Sequence, residues 1–98
     1  MPNDRPRPEA ALVTVSLPAP LVRLFPGAPR ELALTASTVG AALDALDARW
    51  PGMRDRLCDS RPAIRRHINV FVDGEKASLE TALRPGAAML VMTAISGG

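Results

Sequence analysis

Ala88-Met89-Leu90-Val91-Met92-Thr93-Ala94-Ile95-Ser96-Gly97-Gly98 is the stretch whose reading decides the fold. From Ala88 to Ile95 it is apolar nearly throughout, the pattern of a central strand rather than an exposed edge. Strand side chains alternate, so Met89 and Val91 face one side and Leu90 and Met92 the other. Pro85-Gly86 punctuates the chain ahead of this strand, and beyond Ile95 only Ser96, Gly97 and Gly98 remain.

Working backwards, Ile68-Asn69-Val70-Phe71-Val72 is the strongest other strand and runs into the turn pair Asp73-Gly74. Ile68, Val70 and Val72 share its buried face, and Asn69 and Phe71 the opposite one. Val39, Ala42, Leu43, Leu46 and Trp50 fall at helical spacing between the capping hydroxyls of Ser37 or Thr38 and the breaker Pro51-Gly52. That predicts a helix over Val39–Arg49 with one apolar stripe, hence one face on a sheet. Gly40 suggests close approach to a strand. Two alternating segments precede the helix: Leu12–Leu17, burying Val13, Val15 and Leu17, and Glu31–Thr35, expected to pair as a hairpin.

The connections read as follows. Pro18 and Pro20 stop the first strand, and Leu21–Pro29 is expected to be a turn or ordered loop whose Leu21, Val22, Leu24 and Phe25 cap one end of the core. Met53–Leu57 is a short, less regular piece, and Ser78–Leu83 a single helical turn. The order strand, strand, helix, strand, short turn, strand gives an α+β fold: a mixed four- to five-stranded sheet with one main helix on one face. This is the β-grasp, or ubiquitin-like, pattern. Residues 1–10 are expected to be a flexible N-terminal tail, 11–95 the β-grasp domain and 96–98 a flexible Gly-Gly tail.

Composition agrees with one small domain. The chain has 98 residues, 47% hydrophobic and 22% charged, with three aromatics: Phe25, Trp50 and Phe71. Its net charge of +2 comes without a long basic run or aromatic-basic interleaving, so nucleic-acid binding has weak support. With Cys58 alone there is no intramolecular disulfide. No signal peptide and no apolar run of about 20 residues is present, so the expected compartment is the cytoplasm and no membrane is involved.

The inventory leaves little conventional catalytic machinery. Cys58 and His67 are the sole cysteine and histidine, and tyrosine is absent. They form no triad with an orienting group, too few ligands exist for zinc, and no glycine-rich phosphate loop precedes the helix. Cys58 reads as a packed residue, and Arg65-Arg66-His67 as a solvated lead-in that could steer an acidic surface.

The terminus remains. The α-carboxyl of Gly98 is ionised at neutral pH, with a pKa of about 3.5, and can attack the α-phosphate of ATP. The acyl-adenylate is then electrophilic toward a sulfur donor. Gly97 and Gly98 lack Cβ atoms, so such a tail can thread a narrow channel in a partner enzyme. The partner supplies the catalysis, and this chain supplies the reacting group.

At these residues the chain resembles the bacterial MoaD/ThiS sulfur carriers. The resemblance spans about Val13 to Gly98. It rests on Val13–Leu17, Thr38-Val39-Gly40, Asn69–Glu75, Leu83-Arg84-Pro85-Gly86 and Gly97-Gly98. The connection from Leu57-Cys58-Asp59 to Arg66-His67-Ile68-Asn69 is most similar to the actinobacterial branch serving cysteine biosynthesis. The resemblance implies a protein co-substrate rather than an enzyme. A ubiquitin-activating-type adenylyltransferase would use ATP to activate Gly98, which would become a thiocarboxylate and pass sulfur to an acceptor enzyme. In the cysteine branch the acceptor is similar to a pyridoxal-phosphate cysteine synthase, and a metalloprotease trims the product. Those cofactors belong to the partners, and none is expected on this chain. One departure is Ala87, where many relatives are acidic, which implies an altered turn but unaltered tail chemistry.

Phe71, Leu90 and Met92 are expected to form an exposed apolar patch that meets both enzymes, with Ser96 in the contact and the tail entering the active site. Two rivals share the pattern: a modifier conjugated to lysine through Gly98, and a binding-only β-grasp domain.

Overall fold

Side-chain alternation in β1 (Ala11–Ser16) sinks Ala11, Val13 and Val15 into the core and leaves Leu12 and Thr14 outside. The structure, a computed structural model, describes residues 10–61 and 63–93. β1 pairs antiparallel with β2 (Glu31–Ala36) from Ala11↔Ala36 to Ser16↔Glu31, the expected hairpin. Leu17, just beyond β1, is also buried.

The segment between these strands departs from the expected loop. Ala19–Leu24 is a helix, α1, despite Pro18 and Pro20. Pro18 is its N-cap, and its carbonyl accepts from the Leu21 and Val22 N–H groups. Pro20 lies in the first turn, where its missing N–H would have had no intrahelical partner anyway. Leu21 is buried, and Val22 and Phe25 pack against the core, but Leu24 points to solvent and caps nothing.

α2 (Val39–Arg49) has the expected bounds, and Thr38 is its cap: Thr38 Oγ1 accepts from the Ala41 N–H at 3.1 Å. Val39, Ala42, Leu43 and Leu46 are fully buried against the sheet, and Trp50 is half-buried at the C-cap. The expected helical turn over Ser78–Leu83 is reduced to one hydrogen-bonded turn, in which the Thr81 N–H donates to Ser78 O, and no helix forms. The Val39 and Gly40 N–H groups donate instead to the carbonyls of Thr81 and Leu79. Ala82 bridges Thr38, so the loop spends its carbonyls on the first turn of α2 rather than on a helix of its own. The close approach at Gly40 is therefore to this loop, not to a strand: a Cβ there would lie 3.2 Å from Leu79 O.

Met53–Leu57 is a regular short helix, α3. Asp47 Oδ1 accepts from the Gly52 and Arg54 N–H groups at its start. β3 (Ile68–Val72) and the two-residue β4 (Glu75–Lys76) flank Asp73-Gly74, both at positive φ, as a tight hairpin turn requires. β5 (Ala88–Thr93) completes a five-stranded sheet of order β2-β1-β5-β3-β4. β5 runs parallel to β1 and antiparallel to β3, so it is central, as its composition indicated. Ala87, just before it, is buried, and its carbonyl accepts from the Thr14 N–H.

The core lies between the inner sheet face (Val13, Val15, Val70, Met89, Val91) and α2, with Met53 and Leu57 of α3 closing it. α2 covers one face, and the described elements leave the other open. No described helix is long and apolar enough to cross a membrane.

Candidate functional site

The outer sheet face is built by the strand positions that α2 does not need. Leu90 and Met92 of β5 keep 42% and 44% of their surface, large values for apolar side chains at the centre of a sheet. Phe71 is the direct cross-strand partner of Leu90, and Asn69 of Met92, so Met92 is diagonal to Phe71. The three residues of the expected patch thus share one face. Phe71 is only half-exposed, with Lys76 as its partner on the other side. Leu12, 61% exposed, lies on the same face toward its far end, where its carbonyl accepts from the Gly86 N–H. Strand alternation had already pointed Leu12 outward, but its membership of this face depends on β1 lying beside β5.

The end of β5 has a distinct geometry. Its pairing with β1 ends at Ser16↔Leu90, whereas its pairing with β3 continues to Ile68↔Thr93. Beyond Leu90 the β1 side therefore opens into a groove of about 410 Å³, lined by Ser16, Pro18, Arg30, Glu31, Met92 and Thr93 among others. Arg30 Nε donates to Leu17 O at 2.9 Å, which holds the side chain against the end of β1. Local sequence carried no signal for these residues, because Arg30 and Thr93 share a groove only through the strand order. Gly97, Gly98 and Ser96, the remaining predicted site residues, lie outside the described residues, as do the last two positions of the expected strand.

The other reactive side chains are buried, held by local hydrogen bonds, or exposed on the β3 side of this end. Cys58 is 4% exposed, and burial pushes its thiol pKa up, with Arg54 opposing and Asp59 adding to the shift. A protonated, enclosed thiol is a poor nucleophile. Asp59 is held below the usual carboxylate range by hydrogen bonds from Arg61, first from the side chain and then from the backbone N–H. It braces the loop, accepting from the Ala63 N–H as well. His67 is exposed and shares a cleft with Asp55, Arg56 and Arg65. Among the described residues no three His, Cys, Asp or Glu side chains cluster as metal ligands.

Known proteins share this fold and much of the sequence. Residues 23–98 match the model of the ThiS family. The chain is 32% identical over 92 residues to the sulfur carrier protein CysO of Mycobacterium tuberculosis, covering 88% of this chain and 98% of that one. Its fold is similar to a chain in the crystal structure of an Amycolatopsis orientalis BexX/CysO complex. That match has a TM-score of 0.78 and 29% identity, covering 88% of this chain and 99% of the other. It is likewise similar to SAMP1 from Haloferax volcanii, with a TM-score of 0.76 and 30% identity, covering 90% of this chain and all of that one.

Proposed function

This chain belongs to the ThiS family, and from that membership we propose that it carries sulfur as a thiocarboxylate on Gly98. It is a small ubiquitin-like β-grasp protein of sulfur-carrier or modifier type, a substrate of enzymes rather than an enzyme. In the proposed cycle a Gly98 carboxylate oxygen attacks the α-phosphate of ATP in an adenylyltransferase and expels pyrophosphate. A hydrosulfide-level donor adds to the acyl-adenylate carbonyl and expels AMP, leaving the thiocarboxylate. Its sulfur then attacks an electrophilic carbon of the acceptor and displaces that carbon's leaving group, and water cleaves the acyl–product bond, releasing the product and restoring the carboxylate.

The single observation that carries this reading is the near full-length identity to a sulfur carrier. Residues 97–98 lie inside the family match, which supports Gly98 as the reacting terminus. The same identity favours cysteine biosynthesis as the pathway, with a pyridoxal-phosphate cysteine synthase as acceptor. Phe71, Leu90, Met92 and Ser96 are the proposed enzyme-facing residues, supported by the open outer face.

Incubation with the adenylyltransferase, ATP and a sulfide source should add the mass difference of one sulfur for one oxygen at Gly98. Deleting Gly98 should abolish that gain without lowering the melting temperature. A deletion variant that still supports full sulfur transfer overturns the proposal. The likeness to SAMP1 favours a second reading, conjugation to lysine. High-mass, reductant-resistant adducts in cell extracts, with no thiocarboxylate, would select it.

A further inference from the structure

Among the described residues, basic side chains gather at one end of the sheet. At the end where β5 finishes, Arg30 stands on the β1 side of Thr93, in the groove that Thr93 itself lines. On the other side Ile68 pairs with Thr93, and the chain leading into Ile68 is Arg65-Arg66-His67. α3 adds Arg56 to the same cleft as Arg65 and His67. Arg65 Nε donates to the Asp55 carbonyl at 2.9 Å, fixing the root of its guanidinium while the side chain stays part-exposed. Arg30, Arg56, Arg66 and His67 are all exposed, and Glu31 and Asp55 are the carboxylates beside them. The opposite end, where β5 begins, carries Asp73, Glu75, Lys76 and Arg84 around one cleft with Val72, the partner of Met89.

Position gives this gathering its meaning, on the premise that Gly98 is the reacting group. Five residues follow Thr93, and a fully extended chain of that length spans at most ~18 Å. An enzyme acting on Gly98 must therefore bring the mouth of its active site within that distance of Thr93. The residues flanking Thr93 on its two sides are then brought against that mouth, whichever way the outer face docks. Basic side chains in that place fit an acidic surface, and a like-charged one would repel them. Contact within about one Debye length (~8 Å at physiological salt) leaves such charges effective.

We propose that Arg30, Arg56, Arg65, Arg66 and His67 form a basic collar around the emergence of the C-terminal tail. The collar docks on an acidic protein rim at the mouth of the activating enzyme's active site. It steers the end of β5 toward that opening, while the apolar outer face supplies short-range contact. It acts on encounter, so it governs the association rate and its salt dependence more than the chemical step.

The test measures association of the full chain with its adenylyltransferase at several ionic strengths, alongside thiocarboxylate formation. The double variant Arg56→Glu/Arg66→Glu changes exposed side chains for which no hydrogen bond is seen among the described residues. It should slow association about tenfold or more at low salt and flatten the salt dependence, with little change in turnover at saturating carrier. Arg84→Glu, at the opposite end, should leave both rates near wild type. Unchanged association in the double variant overturns the collar, as does an equal loss in Arg84→Glu, which would mark a net-charge effect. Slowed association that ATP or inorganic phosphate alone competes away, with binding to those anions lost in the double variant, assigns the cluster to a phosphate and also overturns it. A wild-type chain that gains no sulfur with the enzyme takes down the carrier reading and the collar together.

Discussion

Cys58 shows how one residue's chemistry follows from where it is packed. The sole cysteine reads in the sequence as a packed residue, and it is one: its N–H donates to Arg54 O, it bridges Ile64, and the core encloses its sulfur. Burial raises the thiol pKa in the folded state. The unfolded chain then loses its proton first, near the ordinary thiol value of about 8.5. The associated stability is complete below that pH and is lost as pH rises toward the folded-state value. Wild type should therefore lose melting temperature between neutral pH and pH values above about 8.5 more steeply than Cys58→Ala. Parallel pH profiles would refute this. A thiol reagent at neutral pH should label the native chain slowly and the unfolded chain fast.

Among the elements, α2 was legible to the residue because capping, amphipathic spacing and a breaker all agree. Thr38 makes the cap bond, so Thr38→Ala should cost about 1 kcal/mol, read as a lower denaturation midpoint at unchanged slope. Thr38→Ser, which keeps the acceptor oxygen, should restore most of it. No loss in the alanine variant would mean that the Thr81 and Leu79 carbonyls alone satisfy that end of the helix. The misread elements have two causes: a local rule applied without knowing position, and a local rule that met a stronger partner. Prolines at 18 and 20 read as breakers because position within a helix is invisible until the helix is known. Ser78–Leu83 has helical composition, but α2 takes its carbonyls.

At the scale of the whole molecule, strand order makes a surface out of scattered residues. Phe71 and Met92 are far apart in sequence and come together because β3 pairs with β5. Neither is fully buried, so Phe71→Ala/Met92→Ala should leave the melting temperature within a few degrees of wild type and weaken affinity for the activating enzyme at least tenfold. Unchanged affinity would remove the outer face from the interface. The collar differs in kind: its loss should act on encounter and vanish at high salt, whereas the loss of Phe71 and Met92 should persist there.

Sequence alone determined the main periodic elements, the central place of β5, the inward and outward faces of β1, β3 and β5, and the family. All of these rest on local pattern, since alternation, helical spacing and turn residues are written along the chain. Only the tertiary structure decided that Leu12 shares a face with Leu90, that the 78–81 loop caps α2, and that Arg30 and the Arg65–His67 segment flank Thr93 from opposite sides. Those depend on which strands are neighbours. Side chains distant in sequence become close only when the sheet's hydrogen bonds and the shared core against α2 select one pairing.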